Sequence, residues 1–448
     1  MSSRLDLLNA RVPRYTSYPS APHFNASVDG PVLRRWLEAL PRREAVSLYL
    51  HVPFCSSLCW FCGCHTRVVN SYSPIAGYVD SLLRELALMD RALGAQRQLT
   101  HLHFGGGSPT LLSPDDIARL IDQIRDGFII NADTEFAIEI DPRGLTRETL
   151  EALAKAGVTR ASLGVQDVNP AVQRAVNRWQ PETVTRKAVE QLRETGITKL
   201  NIDLMYGLPK QTAADVERTV ESIAALTPQR VAVFGYAHVP EMKGHQRLIN
   251  DADLPGAEER MRHYETAHAA LVARGYRAIG LDHFALPDDP LAVALAAGKL
   301  ARNFQGYTTD VASALIGVGA SAISSLPQGY AQNAAAGPEY GAKISADEFA
   351  TVRGRALTAD DRLRRAVIER LMCDLTVDLD AVASNHGASA RAFATDIEAL
   401  APLQRDGLVH VDGHRVTVPE AKRAAVRLVC AVFDAYLSSG NTRHSVAV

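Results

Sequence analysis

The chain has 448 residues, of which 47% are hydrophobic and 22% charged, with a formal net charge of −2. A chain of this length allows two or three domains, and a core of that size needs no metal to hold it together. The composition argues against disorder, and the balanced charge argues against the concentrated basic face of a nucleic-acid or membrane-surface protein.

In chain order, Pro13-Arg-Tyr-Thr-Ser-Tyr-Pro19 reads as an extended or turning arm rather than a helix, because residues ahead of proline avoid the helical region. Ala45–Val52 is strand-like and runs into a cysteine-rich loop. Ile75–Leu93 carries apolar residues at Tyr78, Val79, Leu82, Leu83, Leu86 and Met89, a helical stripe. Leu99–Phe104 is a strand closed by Gly105-Gly-Gly107, and Asp115–Arg125 a helix with Ser113 as N-cap. Strands follow at Phe136–Ile140, Arg160–Val165, Lys199–Met205 and Arg230–Tyr236. They alternate with helices at Thr146–Ala156, up to about Glu194, Ala213–Ala225 and Glu258–Arg274. Six alternations predict an all-parallel α/β sheet, curled by right-handed crossovers into a partial (β/α)6 barrel with its chemistry at the carboxyl ends of the strands. After Ser345 the character changes. Arg362–Cys373, Ala390–Leu400 and Glu420–Leu437 are helical, and His410-Val-Asp-Gly-His414 is an Asp-Gly hairpin. The expected units are an N-terminal arm (1–40), a barrel with a C-terminal extension (41–344) and a mostly helical, winged-helix-like unit (345–448). The balanced charge favours a lid or support role for the last unit over DNA binding.

No stretch of about 18 apolar residues could span a bilayer, and the longest apolar run, around Leu291–Ala297, is far too short. The opening Met1-Ser-Ser-Arg-Leu-Asp lacks a signal peptide's apolar segment, so a cytoplasmic setting is expected.

Of the six cysteines, Cys373 and Cys430 stand alone in apolar helical surroundings and read as small buried hydrophobes. The other four fall in His51-Val-Pro-Phe-Cys55-Ser-Ser-Leu-Cys59-Trp-Phe-Cys62-Gly-Cys64. Such clustering points to metal or redox chemistry rather than a disulfide framework. Three cysteines at C-x3-C-x2-C can cover three corners of an iron–sulfur cube and leave one iron open to a ligand. The alternative is a structural zinc site on all four thiols. Zinc would staple little in so short a loop, which favours iron–sulfur.

C-x3-C-x2-C after a first barrel strand resembles the radical SAM superfamily. The chain resembles, from end to end, the oxygen-independent coproporphyrinogen III oxidase family. The matching segments include Pro13–Pro19, Tyr49-Leu-His-Val-Pro-Phe-Cys55, Cys62-Gly-Cys64 and His103-Phe-Gly-Gly-Gly-Ser-Pro-Thr110. Glu139-Ile-Asp-Pro142, Gly164-Val-Gln-Asp167, Val176-Asn-Arg178, Asn201–Pro209, Asn303–Tyr307 and the tail Arg443–Val448 also match. The resemblance implies a [4Fe–4S] cluster on Cys55, Cys59 and Cys62 and cleavage of S-adenosylmethionine (SAM) to a 5′-deoxyadenosyl radical. It further implies oxidative decarboxylation of two propionates of coproporphyrinogen III, giving protoporphyrinogen IX and two CO2, with two SAM per turnover. Tyr49, Gly106, Glu139, Ala237 and Ile323 would contact the cluster-bound SAM. Phe61, Gly107, Ser108, Gln166, Arg178 and Asp203 would contact a second one, although Arg178 and Asp203 can equally be read as a structural ion pair. Cys64 would be a free thiol near the reacting groups; the other reading makes it a fourth ligand that closes the cluster. A haem-binding or haem-trafficking paralogue is the rival assignment, and Cys64 and the long arm speak for the oxidase. An electron donor such as flavodoxin or ferredoxin and a monomeric state are expected. Arg14, Arg302 and Arg443 are candidates for the substrate carboxylates.

Overall fold

The structure, a computed structural model, describes residues 10–437. The six expected strands form at Val46–Val52 (β1), Arg97–Gly106 (β2), Glu135–Ile140 (β3), Arg160–Gln166 (β4), Lys199–Tyr206 (β5) and Arg230–Gly235 (β6). Each pairs in parallel with the next. The helices between them also stand where the apolar stripes place them. Ser113 accepts the Asp116 N–H at one helix start, and Thr212 and Asp215 form a capping box at another. Such a cap contributes about 1 kcal/mol.

The all-parallel expectation needs correction at both edges of the sheet. Beyond β6 lie β7 (Arg277–Ile279) and β8 (His283–Ala285), with β8 antiparallel to β6 and β7 antiparallel to β8. On the other side β9 (Ala314–Val318) pairs in parallel with β1. It is followed by antiparallel β10 (Ile323–Leu326), β11 (Gly329–Asn333) and β12 (Thr351–Ala356). Only Pro327 and Gln328 separate β10 from β11. A link that short makes a hairpin and cannot make the crossover that a parallel pair needs. The outermost strands β7 and β12 do not pair with each other, so the sheet stays open.

Alternation along the strands shows that the inner face is hollow. A parallel sheet packed on both faces reads as continuous apolar runs. Here Phe136, Ile138 and Ile140 of β3 are buried, while Glu135, Ala137 and Glu139 between them are only partly covered. The strand register places Glu139 beside Ser162, Ser162 beside Asn201, and Gly164 beside Asp203. Period two then sends all of these to the same face. The outer face is closed by helices; that at Ser73–Leu93 presses Leu82, Leu86 and Met89, each 1% exposed or less, into the main core. Each such side chain contributes about 1.5–3 kcal/mol.

The N-terminal arm forms no helix over Pro13–Pro19, as expected, and turns there, with Tyr15 at φ +49° and a bend at Thr16–Pro19; it also contains a helix at Gly30–Glu38 that the sequence reading missed. Asp29 caps it, and Leu33 and Leu37 anchor it in the main core. Tyr15 and Tyr18 of the arm are buried in the core of the C-terminal unit, where the Tyr15 hydroxyl donates to Asp434 at 3.1 Å. Strand β12 belongs to the main sheet, which therefore runs past residue 345 as far as Ala356. The C-terminal unit then has a helix at Ala359–Asp374 and a three-stranded sheet of Thr376–Asp378, His410–Asp412 and Arg415–Thr417. The expected helix Glu420–Leu437 is shorter than predicted. Glu420–Ala425 is a 3-10 turn, drawn tight by buried Arg423 bonding Glu420 and the Gly280 carbonyl, and the α-helix spans only the apolar run Val426–Val432. Cys373 and Cys430 are buried, as expected. Arg443 and the rest of the tail motif lie outside the described residues. Among the described residues no helix is long and apolar enough to cross a membrane.

Candidate active site

Strand β1 ends at Val52, and the chain passes through a short strand, Phe54–Cys55, paired in parallel with Arg67–Val68. This pairing closes the base of the cysteine loop. Two further segments hold its rim. The Trp60 N–H donates to the Val176 carbonyl at 2.9 Å, and Asn177 Nδ2 donates to the Leu58 carbonyl at 2.9 Å. On the other side Lys243 Nζ reaches the Cys64 carbonyl at 3.0 Å, His245 Nε2 the Cys62 carbonyl at 2.8 Å and Gln246 Nε2 the Phe61 carbonyl at 3.1 Å. Sequence reasoning missed Lys243, His245 and Gln246. They sit at and within a short 3-10 helix after β6, Gly244–Leu248, which carries no motif, and only the fold brings it to the loop.

Cys55, Cys59, Cys62 and Cys64 all line one cavity of about 390 Å³ that follows the inner face of the sheet to the carboxyl ends of the strands. Phe61, Gly106, Gly107, Ser108, Glu139, Gln166, Arg178 and Asp203 line it too. Three expected residues do not. Tyr49 stands just behind the wall, where a Cβ on Gly105 would come within 2.9 Å of its ring. Ala237 lines a smaller neighbouring cavity, and its carbonyl accepts from Gln246 at 3.2 Å. Ile323 lies on β10, packed against a cluster with Phe24 and Tyr330.

The glycine turn is required by its neighbours. Gly106 has φ +121°, and a Cβ on Gly107 would stand 2.4 Å from the Phe54 carbonyl oxygen. Any larger residue would push β2 away from the cysteine loop. The Gly106 N–H donates to Glu139 Oε2 at 3.0 Å, and His103 Nε2 lies 3.4 Å from Oε1. Burial opposes ionisation of Glu139, yet these hydrogen bonds and the nearby imidazoles hold its carboxyl below the usual range. Its side chain is 40% exposed, a charged acceptor open to the cavity. Behind it the Tyr49 hydroxyl donates to His51 Nδ1 at 3.0 Å, and His51 Nε2 donates to the His65 carbonyl at 3.0 Å. A carbonyl can only accept, which fixes the tautomer. Burial, the larger influence, keeps His51 neutral.

Arg178 does not pair with Asp203. Its Nη1 lies 3.4 Å from Cys59 Sγ and 3.5 Å from Asp141, and its Nη2 donates to the Gly164 carbonyl at 2.6 Å. Arg143, which no sequence argument singled out, also reaches Cys59 Sγ, at 3.5 Å, and pairs with Asp141 at 2.6 Å. Asp203 instead accepts from Ser162 at 3.0 Å and Asn201 at 2.8 Å. Burial, then the charge of Glu139, pushes its carboxyl up to about 6.

The donor set fits an iron–sulfur cluster. Two guanidinium groups, of Arg143 and Arg178, face Cys59 Sγ. Cys62 is drawn down to about 6, chiefly by a hydrogen bond from the Cys64 thiol, whereas burial pushes Cys55 up to about 11. Among the described residues no three cysteine, histidine or carboxylate side chains converge on a single metal position. The corners of an iron–sulfur cube need no such convergence.

A mainly parallel sheet with this cysteine loop after its first strand defines a radical SAM enzyme, a class that uses a [4Fe–4S] cluster and SAM. Residues 49–223 match the Radical SAM superfamily, and residues 357–421 match the HemN C-terminal domain. The chain is 48% identical over 438 residues to the oxygen-independent coproporphyrinogen III oxidase of Bradyrhizobium diazoefficiens, covering 98% of this chain and 97% of the relative. It is 44% identical to the enzyme of the same name from Paracoccus denitrificans, covering 99% and 98%. The solved structure of coproporphyrinogen III oxidase (HemN) from Escherichia coli, described as a radical SAM enzyme, superposes with a TM-score of 0.91. The identity is 42%, over 95% of this chain and 98% of that one. The chain belongs to the oxygen-independent coproporphyrinogen III oxidase family.

Proposed function

We propose that this chain decarboxylates two propionates of coproporphyrinogen III to vinyl groups without oxygen, in haem biosynthesis, giving protoporphyrinogen IX and two CO2. One observation carries the reading: the three cysteines of one loop open onto the same cavity as the Gly106 turn, Glu139 and Asp203. Each propionate loses a hydrogen atom from its β-carbon, then CO2 and one electron, so two SAM serve one porphyrinogen.

In this reading Cys55, Cys59 and Cys62 hold the cluster. Bound there, it supplies the electron that splits the sulfonium of SAM. The residues around it bind and orient. Glu139, open to the cavity and ionised, accepts from ribose hydroxyls through charge-assisted hydrogen bonds. The Gly106 backbone, bare of a side chain, lets the methionyl end approach. Tyr49 supports this wall through its bond to His51, and Ala237 and Ile323 complete the SAM contacts from outside the cavity. Phe61, Gly107, Ser108, Gln166, Arg178 and Asp203 contact a second SAM, with Asp203 surrounded by neutral partners that leave it free to meet hydroxyls. Cys64, exposed at the rim, is a free thiol. A small flavodoxin- or ferredoxin-type carrier supplies the electron, and the protein works as a cytoplasmic monomer, a setting suited to an oxygen-sensitive cluster.

The test is anaerobic incubation of the reconstituted protein with SAM, reductant and coproporphyrinogen III. Vinyl product together with 5′-deoxyadenosine is expected. Stoichiometric haem binding without turnover, or deoxyadenosine formed only when haem is added, overturns the reading.

A further inference from the structure

After β6 the chain turns through residues 236–240 and comes back against the cysteine loop as the 3-10 helix Gly244–Leu248. Gln246 stands in that turn, 1% exposed, and its side-chain amide has three partners. Nε2 donates to the Phe61 carbonyl at 3.1 Å and to the Ala237 carbonyl at 3.2 Å, while Oε1 accepts the Val239 N–H at 2.6 Å. A carbonyl only accepts and a backbone N–H only donates, so the orientation of the amide is fixed. Both hydrogens of Nε2 are in use. Asparagine is a methylene too short to span the same partners, and an ionised glutamate offers no donor at all. The backbone of Gln246 is bonded within its own segment, its N–H to the Lys243 carbonyl at 2.9 Å and its carbonyl to the Ile249 N–H at 3.0 Å. The side chain is therefore the tie between segments. Lys243 and His245 bond the cysteine loop, at Cys64 and Cys62, whereas Gln246 bonds both the loop and the chain beyond β6.

We propose that Gln246 is a positioning residue for SAM. It holds the Phe61 and Ala237 carbonyls on one nitrogen, and so sets the separation of two walls of the SAM site without touching SAM or the cluster itself. The proposal rests on the reading that Phe61 and Ala237 contact SAM. Phe61 lines the main cavity and directly precedes Cys62; Ala237 lines the small cavity beside it, and Phe234 lines both. The cysteine loop has other supports, the strand pairing at Cys55 and the bond from the Trp60 N–H to the Val176 carbonyl. Trp60 and Phe61 also pack against a buried cluster of Val172, Val176, Leu208, Tyr236 and Ile249. Loss of the amide bonds alone should therefore shift the wall and leave the cluster ligands in place. Each partner left unpaired in so buried a place is costly, and that cost keeps the two walls in register while Gln246 is present.

The test uses reconstituted holoenzyme variants Gln246→Met, which keeps the length and removes the amide, and Gln246→Glu. Iron per chain, the Kd for SAM before reduction, and KM for SAM and for coproporphyrinogen III are measured for each. Iron content should match wild type in both. In Gln246→Met the Kd and KM for SAM should rise about tenfold at every pH, with KM for coproporphyrinogen III within about twofold, the size expected for a lost buried hydrogen bond. Gln246→Glu should carry a pH signature. Its ionised carboxylate faces two carbonyls and repels both; protonated, it again donates to one of them. Its SAM Kd relative to wild type should therefore fall from about tenfold or more near pH 8.5 toward about twofold near pH 6.5, while the Gln246→Met ratio stays flat. The titratable groups beside the amide and its partners, Cys62, His238, Lys243 and His245, are shared with wild type and cancel in that ratio. A SAM Kd unchanged in Gln246→Met, a flat ratio in Gln246→Glu, or SAM affinity lost only in step with iron overturns the assignment. If Gln246→Met does not fold, the pH course of Gln246→Glu decides by itself. Failure of wild type to bind SAM at all overturns the functional reading instead.

Discussion

Two carboxylates face the same cavity and are treated oppositely. Glu135, at the amino end of β3, lies among cations: Arg160 Nε is 3.1 Å away and Arg230 Nη1 3.9 Å, while both arginines also pair with Asp289. Burial opposes its ionisation, but Arg160 and then Arg230 outweigh that and hold it at about 2. Asp203, halfway along β5, has only a hydroxyl and an amide as partners and rises to about 6. The difference separates structure from function within one void. Two acids and two arginines on the floor neutralise one another and lock strands β3, β4 and β6. Nearer the mouth, Glu139 and Asp203 are left with neutral or partial partners, the state of a surface made for a ligand.

The comparison breaks first at the cysteines. Cys59→Ser should abolish both the iron–sulfur absorbance of the reconstituted protein and all product formation, yet leave the urea midpoint of the cluster-free chain close to wild type. A large loss of stability in that variant would mean that the loop belongs with the structural floor. Arg160→Met should do the reverse. It leaves Glu135 and Asp289 with a single cation, so unfolding should become easier by about 3–5 kcal/mol. Its effect also has a pH signature. Glu135 is depressed from 4.5 to about 2, so its contribution is complete above pH 4.5 and disappears as pH falls toward 2. The difference between wild type and variant should narrow over that window.

Asp203→Asn sharpens the contrast with the opposite sign. The folded carboxyl binds its proton more tightly than the ordinary 3.8, so it costs stability increasingly as pH rises from about 4 to about 6. The variant should therefore be more stable than wild type above pH 6, by up to about 3 kcal/mol, and equal to it near pH 3, measured by urea unfolding across that range. Turnover should fall in the same variant, since the group is retained for binding rather than for stability. The smallest effect is expected from Glu139→Gln, which keeps the shape and removes the charge. KM for SAM should rise about tenfold with little change in the melting temperature.

Much of this was legible in the chain itself. The six central strands follow from short β-type runs separated by helical stripes, and the cysteine loop and glycine turn are local patterns whose chemistry depends on residue type and spacing. Most of the expected site residues do meet in one cavity, because period two and parallel register carry the carboxyl end of every strand to the same rim. Tertiary structure alone decided the rest. It paired Arg178 with Cys59 and Asp141 rather than with Asp203, strapped the cysteine loop with Lys243, His245 and Gln246, turned the sheet edges antiparallel, and gathered Arg14, Arg260, Arg302 and Arg427 from three distant parts of the chain. Such contacts have no local signature. A side chain's partner across hundreds of residues is set by strand register and by how the arm and the C-terminal unit dock, and composition and spacing carry neither.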